Sequence, residues 1–80
     1  MEKVLIVEDS KVFARVLIRK IEDELFFDTS WASTYEETVY ILEESPEKAD
    51  FFVAVADLHL PDSPNGGVVD YLIAKGIPVI

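Results

Sequence analysis

Three carboxylates occupy positions from which they could do chemistry together. Glu8 and Asp9 directly follow the apolar run Lys3–Val7. Asp57 directly follows a second apolar run, residues 51–56. If the two runs are neighbouring parallel strands, their carboxyl ends bring the acids to one crevice, where open parallel sheets bind ligands. Like charges that close repel one another, and a divalent cation offsets that cost. Oxygen ligands without cysteine favour Mg²⁺ or Mn²⁺ over Zn²⁺, and Mg²⁺ commonly shares its site with a phosphoryl group.

A plainer interpretation of each acid stays open. An acid after a strand often caps the next helix or solvates a loop. Neither the pair Glu8 and Asp9 nor Asp57 therefore predicts a function by itself. The joint placement of all three acids at strand ends is what favours a site.

The hydrophobic pattern predicts the elements that would position these acids. Short runs rich in Val and Ile are typical of buried strands, and apolar residues at three- and four-residue steps are typical of helices. The predicted strands are Lys3–Val7, Asp28–Ala32, 51–56 and 77–80, and the predicted helices are Lys11–Leu25, 33–44 and 68–75. The order β-α-β-α-β-α-β predicts an α/β fold with a doubly wound parallel sheet and helices on both faces. A strand order of 2-1-3-4 would make the first and third strands neighbours.

Capping residues mark the predicted helix ends. Ser10 or Asp9 would cap the first helix. Ser33 and Glu36 have the spacing of a capping box at the start of the second, and Ser45-Pro46 would end that helix.

Composition limits the classes of function. The chain has 80 residues, 7 basic and 16 acidic, with a net charge of −9 and no cysteine. A length of this order permits one small domain, and the charge argues against nucleic-acid binding by this segment. No apolar run approaches the roughly 20 residues that span a membrane.

The apolar residues 77–80 would leave a bare strand at a sheet edge. We therefore expect residues 1–80 to be the N-terminal two-thirds of a single domain whose fifth strand and last helices are missing. A natural 80-residue protein completed by oligomerisation is the alternative. The exposed fourth-strand edge predicts a dimer in which two copies meet, or exchange elements, around Val79 and Ile80.

Three motifs together resemble a known family. They are Val-Leu-Ile-Val-Glu-Asp-Ser at residues 4–10, Val-Ala-Asp-Leu-His-Leu-Pro-Asp at 55–62 and Gly-Ile-Pro-Val-Ile at 76–80. In order and spacing they resemble the receiver domain of bacterial two-component response regulators, which has a flavodoxin-like fold. The resemblance extends over the whole chain.

The resemblance implies roles for particular residues. Asp57 would be the phosphoacceptor, and Glu8 and Asp9 would match the acidic pair that positions Mg²⁺, with Asp9 the closer ligand. The backbone carbonyl of His59 would match a further metal ligand. The phosphodonor would be a phosphohistidine on a sensor histidine kinase or a phosphotransfer protein.

The same resemblance implies a cytoplasmic signalling switch that catalyses only its own phosphorylation and is not a metabolic enzyme. The output domain beyond residue 80 is of unknown type: it could be DNA-binding, a diguanylate cyclase or another effector, or there could be none. The Ser or Thr and the Lys that complete the family's site also fall beyond residue 80, so we expect this chain to phosphorylate slowly.

Two other functions remain as alternatives. The chain could be a phosphorylation-independent protein-interaction module, a pseudo-receiver that retains the acids by descent, and Mg²⁺ titration would discriminate. A flavodoxin-like cofactor binder has less support, because no phosphate-binding loop rich in Ser or Thr follows the first strand.

Several nearby residues are interpreted as structural. Asp62 and Asp70 are expected to be surface or helix-capping residues. The His59 side chain is expected to face solvent. Trp31 and Tyr35 lie near a helix start, where aromatic residues usually pack against their neighbours.

Overall fold

Six elements alternate along the chain in a computed structural model that describes residues 2–44 and 50–80. They are β1 (Lys3–Val7), α1 (Lys11–Leu25), β2 (Asp28–Ala32), α2 (Tyr35–Glu44), β3 (Val53–Ala56) and α3 (Gly67–Ala74). The predicted α/β alternation is therefore confirmed. The bounds of β1, α1 and β2 coincide with those predicted from the hydrophobic pattern.

The sheet is parallel and has the order β2-β1-β3. Strand β1 lies in the centre, where Val4 pairs with Thr29 of β2 on one side and with Val53 of β3 on the other. This explains why β1 is a nearly continuous apolar run, since a central parallel strand is covered on both faces.

The last residues of the chain lie beside β3, in the position predicted for a fourth strand. Val79 forms a parallel bridge with Ala54. Ala54 donates its N–H to the Pro78 carbonyl, and Ile80 donates to the Ala54 carbonyl, both at 2.8 Å. A bridge of one residue pair is shorter than a strand, so the described sheet has three strands. The predicted order 2-1-3-4 is thus found as 2-1-3, with residues 77–80 alongside.

Helices cover both faces of the sheet, as a doubly wound fold requires. On the first face, α1 contributes Ala14 and Ile21 to a core with Val4 and Ile6 of β1. The opposite face carries the larger core, to which α2 and α3 contribute. Its buried members are Leu5, Val7, Leu42, Phe51, Ala54, Leu60, Val68, Leu72 and Ile77.

Later boundaries differ from those predicted by one or two residues: α2 begins at Tyr35 rather than residue 33, and α3 covers Gly67–Ala74 rather than 68–75. Strand β3 begins at Val53 rather than residue 51, although Phe51 is buried and continues the apolar run. The capping box of α2 is displaced by one residue, because Thr34 accepts the N–H of Glu37 and the Glu37 carboxylate accepts the N–H of Ser33. The predicted helix end at Ser45-Pro46 lies outside the described residues.

Helix α3 ends in a motif that directs the chain back to the sheet. Gly76 has φ +81°, Gly76 donates to the Ile73 carbonyl, and Ile77 donates to the Leu72 carbonyl. These two bonds form a Schellman motif, in which a left-handed residue reverses the chain. The reversal places Ile77 in the larger core beside Leu72. In the described part of the chain, no helix has both the length and the apolar character needed to cross a membrane.

Candidate metal centre

The three acids meet at the carboxyl ends of β1 and β3. The Glu8 N–H donates to the Ala32 carbonyl at 3.0 Å, and the Asp57 N–H donates to the Val7 carbonyl at 2.9 Å. These bonds continue the strand ladders by one position, so both acids are held by the end of the sheet. Glu8, Asp9 and Asp57 each offer a carboxylate oxygen, and these oxygens lie within 4.8 Å of one another. The convergence predicted from the sequence is therefore confirmed.

Glu8 is the most buried of these acids. Its side chain is only 9% exposed, and its Oε2 atom is buried without a hydrogen-bond partner. Burial raises the pKa of Glu8 to about 7, with further increases from the hydrogen bond and charge of Asp57 and the charge of Asp9. A buried carboxylate oxygen without a donor destabilises the fold, because it loses its hydrogen bonds to water and forms none within the protein.

The Asp57 carboxylate is oriented by a backbone hydrogen bond within its own loop. The backbone N–H of His59 donates to its Oδ1 atom at 3.0 Å. That bond lowers the pKa of Asp57, and the hydrogen bond to Glu8 lowers it further. The pKa values of the two neighbouring carboxyls are therefore displaced in opposite directions, which favours the ionised form of Asp57 over that of Glu8.

Asp9 is exposed at the mouth of the cluster. Capping of α1 falls to Ser10, whose Oγ accepts the N–H of Phe13 at 3.2 Å and whose carbonyl accepts the N–H of Ala14 at 2.8 Å. Of the two capping candidates, Ser10 is therefore the correct one. The carboxylate of Asp9 remains directed to the acidic cluster, where it can reach a cation.

The loop after β3 is held in a defined shape. The His59 side chain is exposed, as predicted, and its Nδ1 atom lies 3.1 Å from the Pro64 carbonyl oxygen. Leu60 is 1% exposed and belongs to the larger core. Ser63 is buried and its Oγ accepts the N–H of Val68 at the start of α3. The loop that carries Asp57 is thus anchored to the core and to α3.

Asp62 caps a helix, as predicted, but the helix is remote in sequence. Its Oδ1 accepts the N–H of Tyr35 at 2.8 Å and its Oδ2 accepts the N–H of Glu36 at 3.0 Å. These bonds to the first turn of α2 lower the pKa of Asp62. Asp70 is exposed in the first turn of α3. Asp62 therefore joins the Asp57 loop to α2.

Trp31 has a contact that the sequence interpretation missed. It packs against its neighbours, as predicted, on the α1-face core, which is formed by Val4, Ile6, Ala14 and Ile21. Its indole Nε1–H also donates to the Glu8 carbonyl at 2.8 Å. Tyr35, the other aromatic residue interpreted as packing, lies against Tyr71 with ring centroids 5.7 Å apart. Nothing in the sequence indicates that Trp31 would reach the backbone of an acid in another strand.

The acidic cluster borders an open pocket of about 170 Å³. The lining residues are Val7, Glu8, Phe13, Leu17, Val55, Ala56 and Asp57. Two observations make the cluster fit a hard cation such as Mg²⁺: the gathered carboxylate oxygens and the buried Glu8 oxygen without a partner. A hard divalent cation prefers oxygen ligands of this kind and would satisfy that oxygen directly or through a bound water.

Two solved structures are similar to the chain over nearly all of its length. One, described as a two-component system response regulator/GGDEF domain protein, has a TM-score of 0.79 and 33% sequence identity, covering 99% of this chain and 30% of that one. The other is the signal receiver domain of a LuxO repressor protein from Vibrio parahaemolyticus, with a TM-score of 0.73 and 27% identity, covering 98% of this chain and 56% of that one. The chain therefore spans less than two-thirds of either matched protein. No family model and no curated protein matches it. The parallel sheet, its strand order and the match along nearly the whole chain show that this protein has the receiver-domain fold of response regulators.

Proposed function

We propose that the protein is a phosphoacceptor receiver domain, which accepts a phosphoryl group on Asp57 in the presence of Mg²⁺. One observation carries the proposal: the carboxylate oxygens of Glu8, Asp9 and Asp57 lie within 4.8 Å at the ends of adjacent parallel strands. A purely structural fold would gain nothing from a cluster of like charges that includes a buried, unpartnered oxygen.

Asp57 is the nucleophile in this proposal. One of its carboxylate oxygens forms a bond to phosphorus while the bond from phosphorus to the donor nitrogen breaks. The electron pair leaves with the imidazole of the donor, which takes up a proton, and an acyl phosphate remains on Asp57. The His59 N–H supports this role, because it fixes the orientation of the Asp57 carboxylate and keeps it ionised.

The other acids would hold the cation. Asp9 is the exposed acid and would be the closer ligand, while the buried Glu8 would orient it, directly or through a bound water. The backbone carbonyl of His59 is proposed as a further ligand. Mg²⁺ supplies the positive charge that balances the three carboxylates and the incoming phosphoryl group.

Partners and context follow from the same proposal. The donor would be a phosphohistidine on a sensor histidine kinase or a phosphotransfer protein, in the cytoplasm. Residues 1–80 would belong to a single receiver domain. We also propose that copies pair at the edge formed by residues 77–80, where Ile80 is 80% exposed. Light scattering that shows only monomers at high concentration would exclude this pairing.

A small-molecule phosphodonor tests the function. The protein is incubated with acetyl phosphate, with Mg²⁺ or with a chelator, and the intact mass is followed over hours. We expect a gain of one phosphoryl group that requires Mg²⁺ and is abolished by Asp57→Asn. The matched control is Asp70→Asn, an exposed acid outside the cluster, which should gain the same mass as the wild type. A chain that gains no mass, or gains it equally in Asp57→Asn, would overturn the proposal.

A further inference from the structure

Both backbone polar groups of Glu8 are bound by β2. The N–H of Glu8 donates to the backbone carbonyl of Ala32 at 3.0 Å. The carbonyl of Glu8 accepts a hydrogen bond from the indole Nε1–H of Trp31 at 2.8 Å. The first bond is an ordinary continuation of the parallel ladder. The second bond comes from a side chain. Strand β2 ends at Ala32 and α2 begins at Tyr35, so the backbone of β2 does not continue the ladder far enough to reach the Glu8 carbonyl.

The bond from Trp31 acts on the peptide that carries two of the acids. The Glu8 carbonyl and the Asp9 N–H belong to one planar unit, so fixing the carbonyl also fixes the rotation of that plane. The orientation of the plane determines where the Asp9 side chain leaves the backbone. One indole N–H therefore constrains the peptide from which the Glu8 and Asp9 side chains project.

The indole is itself held in place. Trp31 pairs with Ile6 in the register of β1 and β2, and its ring packs in the α1-face core beside Ile6. A ring fixed by packing can hold its hydrogen-bond acceptor with little loss of conformational entropy. The site is also partly buried, which strengthens the bond relative to one in water.

We propose that Trp31 is a positioning residue for the metal centre, which orients the Glu8–Asp9 peptide so that both carboxylates face the cation. The inference rests on the proposed function, because it assumes that Mg²⁺ binds this cluster. Trp31 touches neither the cation nor the phosphoryl group and acts only through the backbone of Glu8.

The test is a Mg²⁺ titration without any phosphodonor, followed by the backbone amide signals of Asp9 and Asp57. Trp31→Phe keeps an aromatic ring in the core and removes the N–H. We expect it to raise the dissociation constant of Mg²⁺ about fivefold, the factor that corresponds to a hydrogen bond of about 1 kcal/mol. Tyr40→Phe is the matched control, since it removes one polar group from a ring that is 64% exposed on α2.

A second readout separates positioning from general stabilisation. With acetyl phosphate, the phosphorylation rate of Trp31→Phe should return to that of the wild type at saturating Mg²⁺. A variant that is merely less well folded would stay slower at every Mg²⁺ concentration. If Trp31→Phe does not fold, replacing Trp31 with benzothienylalanine removes the N–H while preserving the ring shape.

The wild type alone can also overturn the inference. Trp31 is the only tryptophan of the chain, so the indole N–H gives one assignable signal. We expect that signal to exchange slowly with solvent and to shift on Mg²⁺ addition. An indole that exchanges as fast as free tryptophan, or an unchanged Mg²⁺ affinity in Trp31→Phe, would remove the role of Trp31 and leave the proposed function intact. A wild type that binds no Mg²⁺ would remove both.

Discussion

Glu8→Gln should make the metal-free protein more stable while weakening the metal centre. The Glu8 side chain is 9% exposed, and its Oε2 atom has no partner. Glutamine keeps nearly the same shape and carries no charge, and its amide can donate to Asp57. The substitution therefore removes a buried charge without opening a cavity.

The magnitude follows from the pKa of Glu8. Burial and the neighbouring carboxylates raise that pKa from 4.5 to about 7 in the folded protein. Below pH 4.5 the Glu8 carboxyl is protonated in both the folded and the unfolded state, so its ionisation does not lower the free energy of unfolding. As the pH rises towards 7, the unfolded chain releases the proton first, so the free energy of unfolding falls. At pH 8 Glu8→Gln should therefore be more stable than the wild type by about 1 to 3 kcal/mol.

The assay is urea unfolding from pH 5 to pH 8 in a chelator. The stability difference between Glu8→Gln and the wild type should grow across this range, whereas Glu2→Gln, which alters an exposed acid, should show no such trend. Added Mg²⁺ should stabilise the wild type and affect Glu8→Gln less. If Glu8→Gln is no more stable than the wild type at pH 8, the assignment of a buried, charged Glu8 with an unpartnered Oε2 atom is wrong.

Three further substitutions test other parts of the structure. Phe26→Gly should raise the free energy of unfolding by about 0.5 to 1 kcal/mol, because Phe26 ends α1 with φ +59° and its side chain is 71% exposed; a loss of stability in urea would contradict this. Asp62→Ala should speed hydrogen exchange at the amides of the first turn of α2 near neutral pH, because it removes the acceptor of two of them. Equal exchange in Asp62→Ala and in the control Asp70→Ala would argue against the cap. Leu72→Ala should lower the free energy of unfolding by about 2 to 5 kcal/mol, because Leu72 is fully buried. The control is Ile73→Ala, at a position that is 60% exposed, and an equal loss of stability in both variants would show that Leu72 is not in the core.

Periodicity was sufficient to predict the elements that place the acids. The apolar run of β1 and the amphipathic pattern of α1 are strong local signals, and their predicted bounds coincide with those observed. The alternation of strands and helices then limits the possible topologies to parallel sheets. The carboxyl ends of neighbouring parallel strands lie at the same edge of the sheet, which is why Glu8, Asp9 and Asp57 lie together.

Contacts between distant parts of the chain were not predictable in the same way. Trp31 binds the carbonyl of Glu8 across 23 residues, and Asp62 caps α2 across 27 residues at Tyr35. These bonds depend on where the loops lie after folding, and no local pattern encodes them. The same is true of Phe26, since nothing in its neighbourhood predicts a left-handed phenylalanine.

Identification of the phosphorylated residue tests the proposed role of Asp57. The protein is treated with acetyl phosphate and Mg²⁺, reduced with borohydride, which converts an aspartyl phosphate to homoserine, and then analysed by peptide mass spectrometry. We expect homoserine at position 57 and at no other acid, and none when Mg²⁺ is chelated. An unmodified Asp57 beside a modified residue elsewhere, or modification of Asp57 that is indifferent to Mg²⁺, would contradict that role.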